Sequence, residues 1–242
     1  MFTPQGPTLR ELAVQALSST MRGYDLLAPK FDATPYRTPD RVLEAVAEAA
    51  RPLGPFGRGL DVCCGTGAGV GVLRGLCGER VTGVDFSAGM LDVARAAHAA
   101  DGAGPAVDWV RADALSLPFV QVFDLALSFG AFGHFLPEER PGLFGQVHTA
   151  LRPGGLFVFP VGAPPEVGSP AYWSLLGFDL AMRVRNALWR PPFVMYYRTF
   201  PLAGVVDDLT DTGFTVRLLP LEEFGRRADG SPRVRLVVAA RG

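Results

Sequence analysis

The stretch Leu60-Asp61-Val62-Cys63-Cys64-Gly65-Thr66-Gly67-Ala68-Gly69 decides the fold. A short apolar run reaches an acidic residue and then breaks into a turn with glycine at 65, 67 and 69. Such a pattern predicts a strand feeding a ligand-cradling loop. Glycine tolerates positive φ and lets a ligand approach without a Cβ in the way, and the apolar Val70, Val72 and Leu73 can open a helix whose amides face the same ligand.

Outward from this loop, apolar runs alternate with helical periods. Strands are expected over 60–63, 81–84, 107–110, 122–128 and 155–161, with helices over 69–77, 87–100 and 137–151 between them and a turn at Arg152-Pro153-Gly154. Alternation of this kind implies right-handed crossovers and a parallel, doubly wound sheet covered by helices. Ahead of the loop, residues 8–20 place Leu9, Leu12, Ala13, Ala16 and Leu17 on one face of a single helix, and Thr8 with Glu11 has capping-box spacing. A Pro-interrupted aromatic stretch follows over 21–32, then a second helix through Val42, Leu43 and Val46, capped by Thr38 with Pro39 at its first position. Beyond residue 162 the rhythm changes. A Pro-rich loop leads into a helix over 171–190 that is apolar around most of its circumference, with Asp179, Arg183, Asn186 and Arg190 as its polar stripe. Such a helix is expected to be buried against the domain, to line a pocket or to meet a second subunit. A helix over 201–212 and two strands over 214–221 and 233–239, joined by a polar turn, complete the chain as an antiparallel hairpin.

Composition narrows the function. The 242 residues are 48% hydrophobic and 19% charged with a formal charge of −1, which fits one sizeable α/β domain and gives no basic face for nucleic acid. The first seven residues lack a basic and apolar leader pattern, and no apolar run reaches the ~18 residues of a membrane span, so a cytoplasmic protein acting on a small molecule is expected, as monomer or homodimer. Three cysteines, two of them adjacent, suit neither a disulfide framework nor zinc, and no metal is expected.

The glycine loop is not a dinucleotide fingerprint. That pattern needs glycines at i, i+2 and i+5, and counting from Gly65, Gly67 or Gly69 the last position is Val70, Val72 or Arg74. No lysine follows as in a phosphate loop. Asp61 would repel a pyrophosphate and attract an ammonium or sulfonium. Asp85, at the end of the next strand, stands near the offset at which a carboxylate accepts from ribose hydroxyls, and Asp113 follows the third strand where it can accept from an exocyclic amine.

These residues resemble the class I S-adenosylmethionine-dependent methyltransferases, and among them the small-molecule group that includes the ubiquinone and menaquinone enzymes. Residues 60–67 resemble their motif I, Gly83-Val84-Asp85-Phe86-Ser87-Ala88-Gly89-Met90-Leu91 the ribose motif, and Arg111-Ala112-Asp113-Ala114-Leu115-Ser116-Leu117-Pro118-Phe119 the adenine motif. Phe123-Asp124-Leu125-Ala126-Leu127-Ser128-Phe129 and Leu151-Arg152-Pro153-Gly154-Gly155 resemble motifs IV and V. One departure is Cys63, which stands where the family's loop has its first glycine. The resemblance implies a Rossmann-like, mostly parallel seven-stranded sheet with an antiparallel C-terminal hairpin, and S-adenosylmethionine as cofactor, leaving as S-adenosylhomocysteine. It implies cofactor contacts from Asp61, Cys63, Gly65, Thr66, Gly67, Asp85, Phe86, Met90, Asp113, Ala114 and Ser128.

The chain then divides into an N-terminal helical lid (1–37), a cofactor-binding core (38–162), a helical insertion capping the substrate (163–200) and a C-terminal helix and hairpin (201–242). Methyl transfer is an in-line displacement in which the protein aligns the reactants and excludes water, with a base needed only for a protonated nucleophile. His134, just beyond the fourth strand, is the candidate base or substrate contact, its alternative being a loop packing role; His98 and His148 fall in helices. Tyr24, Phe31, Trp173 and Tyr196 are candidate substrate contacts, although Tyr24 and Phe31 could equally pin the first helix, and the aromatics over 171–197 could be scaffold. Cys63 and Cys64 read as small buried residues rather than nucleophiles. The expected activity is methyl transfer to a small apolar or aromatic acceptor, against two alternatives, a catalytically inactive cofactor-binding module and an NAD-dependent oxidoreductase.

Overall fold

The computed structural model describes residues 5–100, 102 and 104–242. Residues 1–4 of the leader reading and of the lid segment therefore lie outside the described residues.

In chain order the elements are α1 (Leu9–Ala16), α2 (Thr20–Leu27), α3 (Asp40–Ala50), β1 (Phe56–Val62), α4 (Ala68–Arg74), β2 (Cys77–Asp85), α5 (Ala88–Ala97), β3 (Ala106–Arg111), β4 (Phe123–Leu127), α6 (Arg140–Ala150), β5 (Leu151–Gly162), α7 (Pro170–Leu188), α8 (Leu202–Asp211), β6 (Phe214–Pro220) and β7 (Val234–Arg241). Seven strands form one sheet in the order β3-β2-β1-β4-β5-β7-β6. The first five are mutually parallel and β7 runs against both of its neighbours, β5 and β6. This is the expected doubly wound sheet closed by an antiparallel C-terminal hairpin.

Alternation along the central strands sends side chains to two cores. Leu60, Val62, Ala126, Phe157 and Phe159 meet Leu143, Phe144 and Val147 of α6 and Val205 and Leu209 of α8. On the other face, Leu125, Leu127, Val158, Leu236 and Val238 meet Val46 of α3, Val70 and Leu73 of α4 and Leu91 of α5. Because β1 and β4 lie in the middle of the sheet, the order of connection reverses between them. In open α/β sheets the carboxyl ends of strands at that point form a crevice.

Several local expectations need correcting. The helix expected over 8–20 is two helices. Thr8 and Glu11 do form the capping box of α1, but Ser19 accepts from the Arg22 amide at 3.2 Å and starts α2. A second serine cap competes with helix continuation. Pro39, not Thr38, is the N-cap of α3. Cys77 belongs to β2, not to the preceding helix. The first turn of the helix expected from 137 is a short 3-10 turn, Pro137–Glu139. Arg152-Pro153-Gly154 sits inside β5, where the register against β4 jumps from Leu151 opposite Phe123 to Leu156 opposite Leu125, a bulge that Gly154 allows with φ of 78°.

The helix expected over 171–190 ends at Leu188, and of its polar stripe Asp179 and Asn186 face inward while Arg183 and Arg190 are exposed. Asp179 is buried and accepts from the amides of Tyr197 and Arg198 at 2.8 and 3.2 Å, while Asn186 exchanges hydrogen bonds with both backbone groups of Phe193 and donates to the Tyr196 hydroxyl. An irregular segment has free amides and carbonyls, so the helix that packs on it needs polar side chains there. Met182, Phe193 and Tyr196 form a small separate core, with Tyr24 of α2 and Leu136 packed against it.

Candidate functional site

The turn after β1 is built by hydrogen bonds to the neighbouring strand. The Cys64 amide donates to the Val84 carbonyl at 2.8 Å, and the Gly65 amide donates to Asp85 Oδ2 at 2.9 Å. Asp85 Oδ1 accepts from the Ser87 amide at 2.9 Å. One carboxylate thus ties the glycine loop to the start of α5. The loop needs left-handed backbone at three positions, Cys63 (φ 59°), Gly65 (φ 52°) and Gly67 (φ 92°). Two are glycine; the third stores strain of about 1–2 kcal/mol in an L-residue.

Above the loop lies a cavity of about 570 Å³, within the usual size for a small-molecule site. Among the expected cofactor residues, Asp61, Cys63, Gly65, Thr66, Asp85, Phe86, Met90, Asp113 and Ala114 line it. Two do not. Gly67 is the N-cap of α4, its carbonyl 3.0 Å from His98 Nε2, and Ser128 is buried with its hydroxyl donated to the Val62 carbonyl at 2.8 Å, so it ties the ends of β4 and β1 beneath the site. Asp113 Oδ1 accepts from the Leu115 amide at 2.9 Å, fixing the turn after β3.

Electrostatically the cavity floor is acidic. Asp61 is 1% exposed, and its Oδ2 has no hydrogen-bond partner among the described residues. Burial, and next the Asp85 charge, push its carboxyl well above the usual range. Burial is also the largest cause raising Asp85, opposed by the amides of Ser87 and Gly65. Gly69 stands over Asp61 so closely that a Cβ there would lie 2.5 Å from Oδ2. A buried, unpaired carboxylate oxygen is costly unless something positive or hydrogen-bond donating meets it. An amino-acid ammonium is such a group, and Asp85 suits ribose hydroxyls; the residues present fit S-adenosylmethionine.

The roof comes from the N-terminal segment. Asp25 Oδ1 accepts from the Ser87 hydroxyl at 2.6 Å and from the Gly89 amide at 3.0 Å, and Asp32 Oδ1 accepts from the Thr66 hydroxyl at 2.7 Å. These two carboxylates clamp the segment onto the glycine loop and the start of α5. Sequence reading missed them because an acidic residue in an unassigned stretch looks like solvated surface.

Tyr24 and Phe31 line the cavity, and so does His134. His134 Nδ1 lies 2.7 Å from the Val194 carbonyl, which can only accept, so Nδ1 carries the proton and Nε2 is bare in the neutral ring. The Tyr24 hydroxyl, 2.6 Å from Nε2, is therefore the donor of that pair. Desolvation lowers the His134 pKa, which favours this neutral form, and burial raises that of Tyr24. The remaining wall is aromatic and sulfur-rich, with Tyr36, Phe129, Met195 and Tyr197. Trp173 and Tyr196 lie outside it. Trp173 is 60% exposed on the far side of α7, and the Tyr196 ring is turned into the small core with Arg183 4.7 Å from its centre. The neighbours Met195 and Tyr197 line the cavity instead. His98 stacks at a tilt on Trp109 and His148 meets Phe214 edge-on, both away from the cavity. No group of three or more His, Cys, Asp or Glu among the described residues could hold a metal ion. No helix among them is long and apolar enough to cross a membrane.

Residues 60–155 match the family described as Methyltransferase domain. The chain is 36% identical over 100 residues to the O-methyltransferase cnsE of Penicillium expansum, covering 41% of this chain and 36% of that one. It is also 36% identical over 113 residues to the demethylmenaquinone methyltransferase of Thermus thermophilus, covering 46% and 49%. The matched region thus spans less than half the length of these relatives. In three dimensions the chain is similar to the solved DhpI–SAH complex, with a TM-score of 0.65 and 20% identity, over 97% of this chain and 99% of that one. At that identity the likeness speaks for the fold.

Proposed function

Because residues 60–155 match the methyltransferase domain family, we propose that the chain is a class I S-adenosylmethionine-dependent methyltransferase that methylates a hydroxyl group on a small apolar or aromatic acceptor. The observation that carries this reading is the hydrogen-bonded pair of Tyr24 and His134 in the cavity wall, 2.6 Å apart. When bound, S-adenosylmethionine supplies an electrophilic sulfonium methyl group. Asp61 would hold its ammonium, Asp85 its ribose hydroxyls and Asp113 its adenine amine, with Met90 and Phe86 against the base.

The remaining chemistry falls to this chain's own residues. An acceptor hydroxyl placed beside Tyr24 passes its proton to the phenolic oxygen as the Tyr24 proton moves to His134 Nε2. The imidazolium formed is held by the Val194 carbonyl. His134 thus acts through Tyr24 rather than on the acceptor. A neutral base desolvated in the wall suits a weakly acidic hydroxyl, and the aromatic wall suits a flat apolar acceptor. Of the relatives' names, the O-methyltransferase supports oxygen as the acceptor atom and the demethylmenaquinone methyltransferase supports a quinonoid ring. Residues 1–37 serve as a lid, 38–162 as the cofactor core, 163–200 as a cap that supplies Val194, Met195 and Tyr197 to the cavity, and 201–242 complete the core.

A screen of phenols and quinols for release of S-adenosylhomocysteine tests this reading. Turnover with hydroxylated rings is expected. Tight binding of S-adenosylhomocysteine with no turnover on any acceptor would favour the inactive module, and a thermal shift with NADH but none with S-adenosylhomocysteine would favour the oxidoreductase.

A further inference from the structure

We infer that the outer face of α7 is the contact surface for a second copy of this chain, paired across a two-fold axis. Trp173, Gly177, Leu180, Ala181, Val184 and Leu188 recur at helical spacing on the side opposite Asp179 and Asn186. All six are exposed; Trp173 is 60%, Leu180 61%, Val184 49% and Leu188 81% accessible. A solvated helix normally presents charge on such a face, and this one presents none. Every charged side chain of the helix is engaged elsewhere. Asp179 holds the Tyr197 and Arg198 amides, Arg183 lies on the Tyr196 ring, and Arg185 donates to the carbonyls of Ser18 and Pro191.

The four large side chains leave on the order of 500 Å² of apolar surface in water, the upper end of what a monomer carries. Two such faces, fully covered, bury on the order of 1,000 Å², the floor for a biological interface. The order of residues also suits self-pairing. An antiparallel two-fold through the midpoint of positions 180 and 181 sets Leu180 against the partner's Ala181, Gly177 against the partner's Val184 and Trp173 against the partner's Leu188. Large meets small at the first two contacts, and both are made twice, as an isologous interface requires. A lipid surface is disfavoured because helices that lie on membranes present cations to the headgroups, and both arginines of α7 are bound within the protein.

Sedimentation equilibrium on the full chain at micromolar concentration tests the pairing. Wild type is expected at twice the chain mass of 25.8 kDa, and the double variant Leu180→Glu, Val184→Glu at 25.8 kDa with an unchanged far-ultraviolet spectrum. Since Leu180 lies beside the axis, Leu180→Cys is expected to form a disulfide-linked pair on mild oxidation. Wild type sedimenting at the single-chain mass, or a double variant that stays paired, overturns the inference. Single-chain wild type that co-sediments with phosphatidylglycerol vesicles overturns it in favour of a membrane face.

Discussion

The Tyr24 hydroxyl stands 2.6 Å from His134 Nε2, joining two residues 110 positions apart, while the other nitrogen of the same ring is held 2.7 Å from the Val194 carbonyl. Three segments of the chain, the N-terminal helices, the loop after β4 and the segment after α7, thus converge on one imidazole. The tautomer follows from the carbonyl, and with it the direction in which a proton can travel.

If Tyr24 relays the acceptor proton to His134, Tyr24→Phe and His134→Gln should each lower kcat by about 10²–10⁴-fold. The double variant should be scarcely worse than either single one, because the two act as a unit. Single-turnover methyl transfer measures this. Additive losses would show that the residues act separately.

The base must be neutral to accept a proton, and desolvation lowers the His134 pKa below its ordinary 6.5. Activity should therefore fall as pH drops through a value below 6.5 and stay level above it. A pH profile of kcat/KM on the wild type should show that acid limb, and the limb should vanish in His134→Gln. A limb above pH 7 would count against His134 as the proton's destination.

Asp61 separates stability from binding. Its folded pKa is raised above 3.8, so its contribution to stability is complete below that value and is lost as pH rises through the raised one. Asp61→Asn should melt higher than wild type at pH 8, with the advantage shrinking toward pH 4. The same variant should bind S-adenosylhomocysteine about 10- to 100-fold more weakly, the scale for losing a charge-assisted hydrogen bond. Melting curves at both pH values and calorimetry check the two halves, and unchanged affinity would remove Asp61 from the ammonium site.

Asp85 holds the glycine loop through the Gly65 amide as well as facing the cavity. Asp85→Ala should weaken cofactor binding by about 1–3 kcal/mol, from hydroxyl partners left unpaired and a loop less firmly held. Calorimetry reads the first effect, and amide exchange at Gly65 reads the second.

Cys63 carries a φ of 59°. Cys63→Gly relieves about 1–2 kcal/mol of strain and loses about 0.5–1 kcal/mol to backbone entropy, so the variant should be as stable as wild type or more stable by up to about 1.5 kcal/mol. Cys63→Val, β-branched at a left-handed position, should be less stable than wild type. Denaturant melts compare the two, and a Gly variant less stable than the Val variant would refute the strain.

The strands of the sheet, the three motif loops and the terminal hairpin were legible because burial on one or both faces imposes a period that residue order records directly. Element ends were less legible: Ser19 and Pro39 compete with neighbours that could also have capped a helix. For α7 the pattern left burial, a pocket and a second subunit open, because its polar side meets irregular backbone with free amides, which residue order does not record. In the cavity wall, Met195 and Tyr197 stand where Tyr196 was expected, a one-residue shift that composition cannot register.

By itself, then, the sequence determined the doubly wound sheet and the acidic glycine loop, because both depend on neighbours close along the chain: a strand's alternation, a turn's need for glycine, a carboxylate at a strand end. Only the tertiary structure decided that Asp25 and Asp32 hold the N-terminal segment against Ser87 and Thr66, that Tyr24 donates to His134, and that α7 turns its apolar face outward. Each of these depends on which distant segment supplies a hydrogen-bond partner, and that is settled when the chain closes on itself.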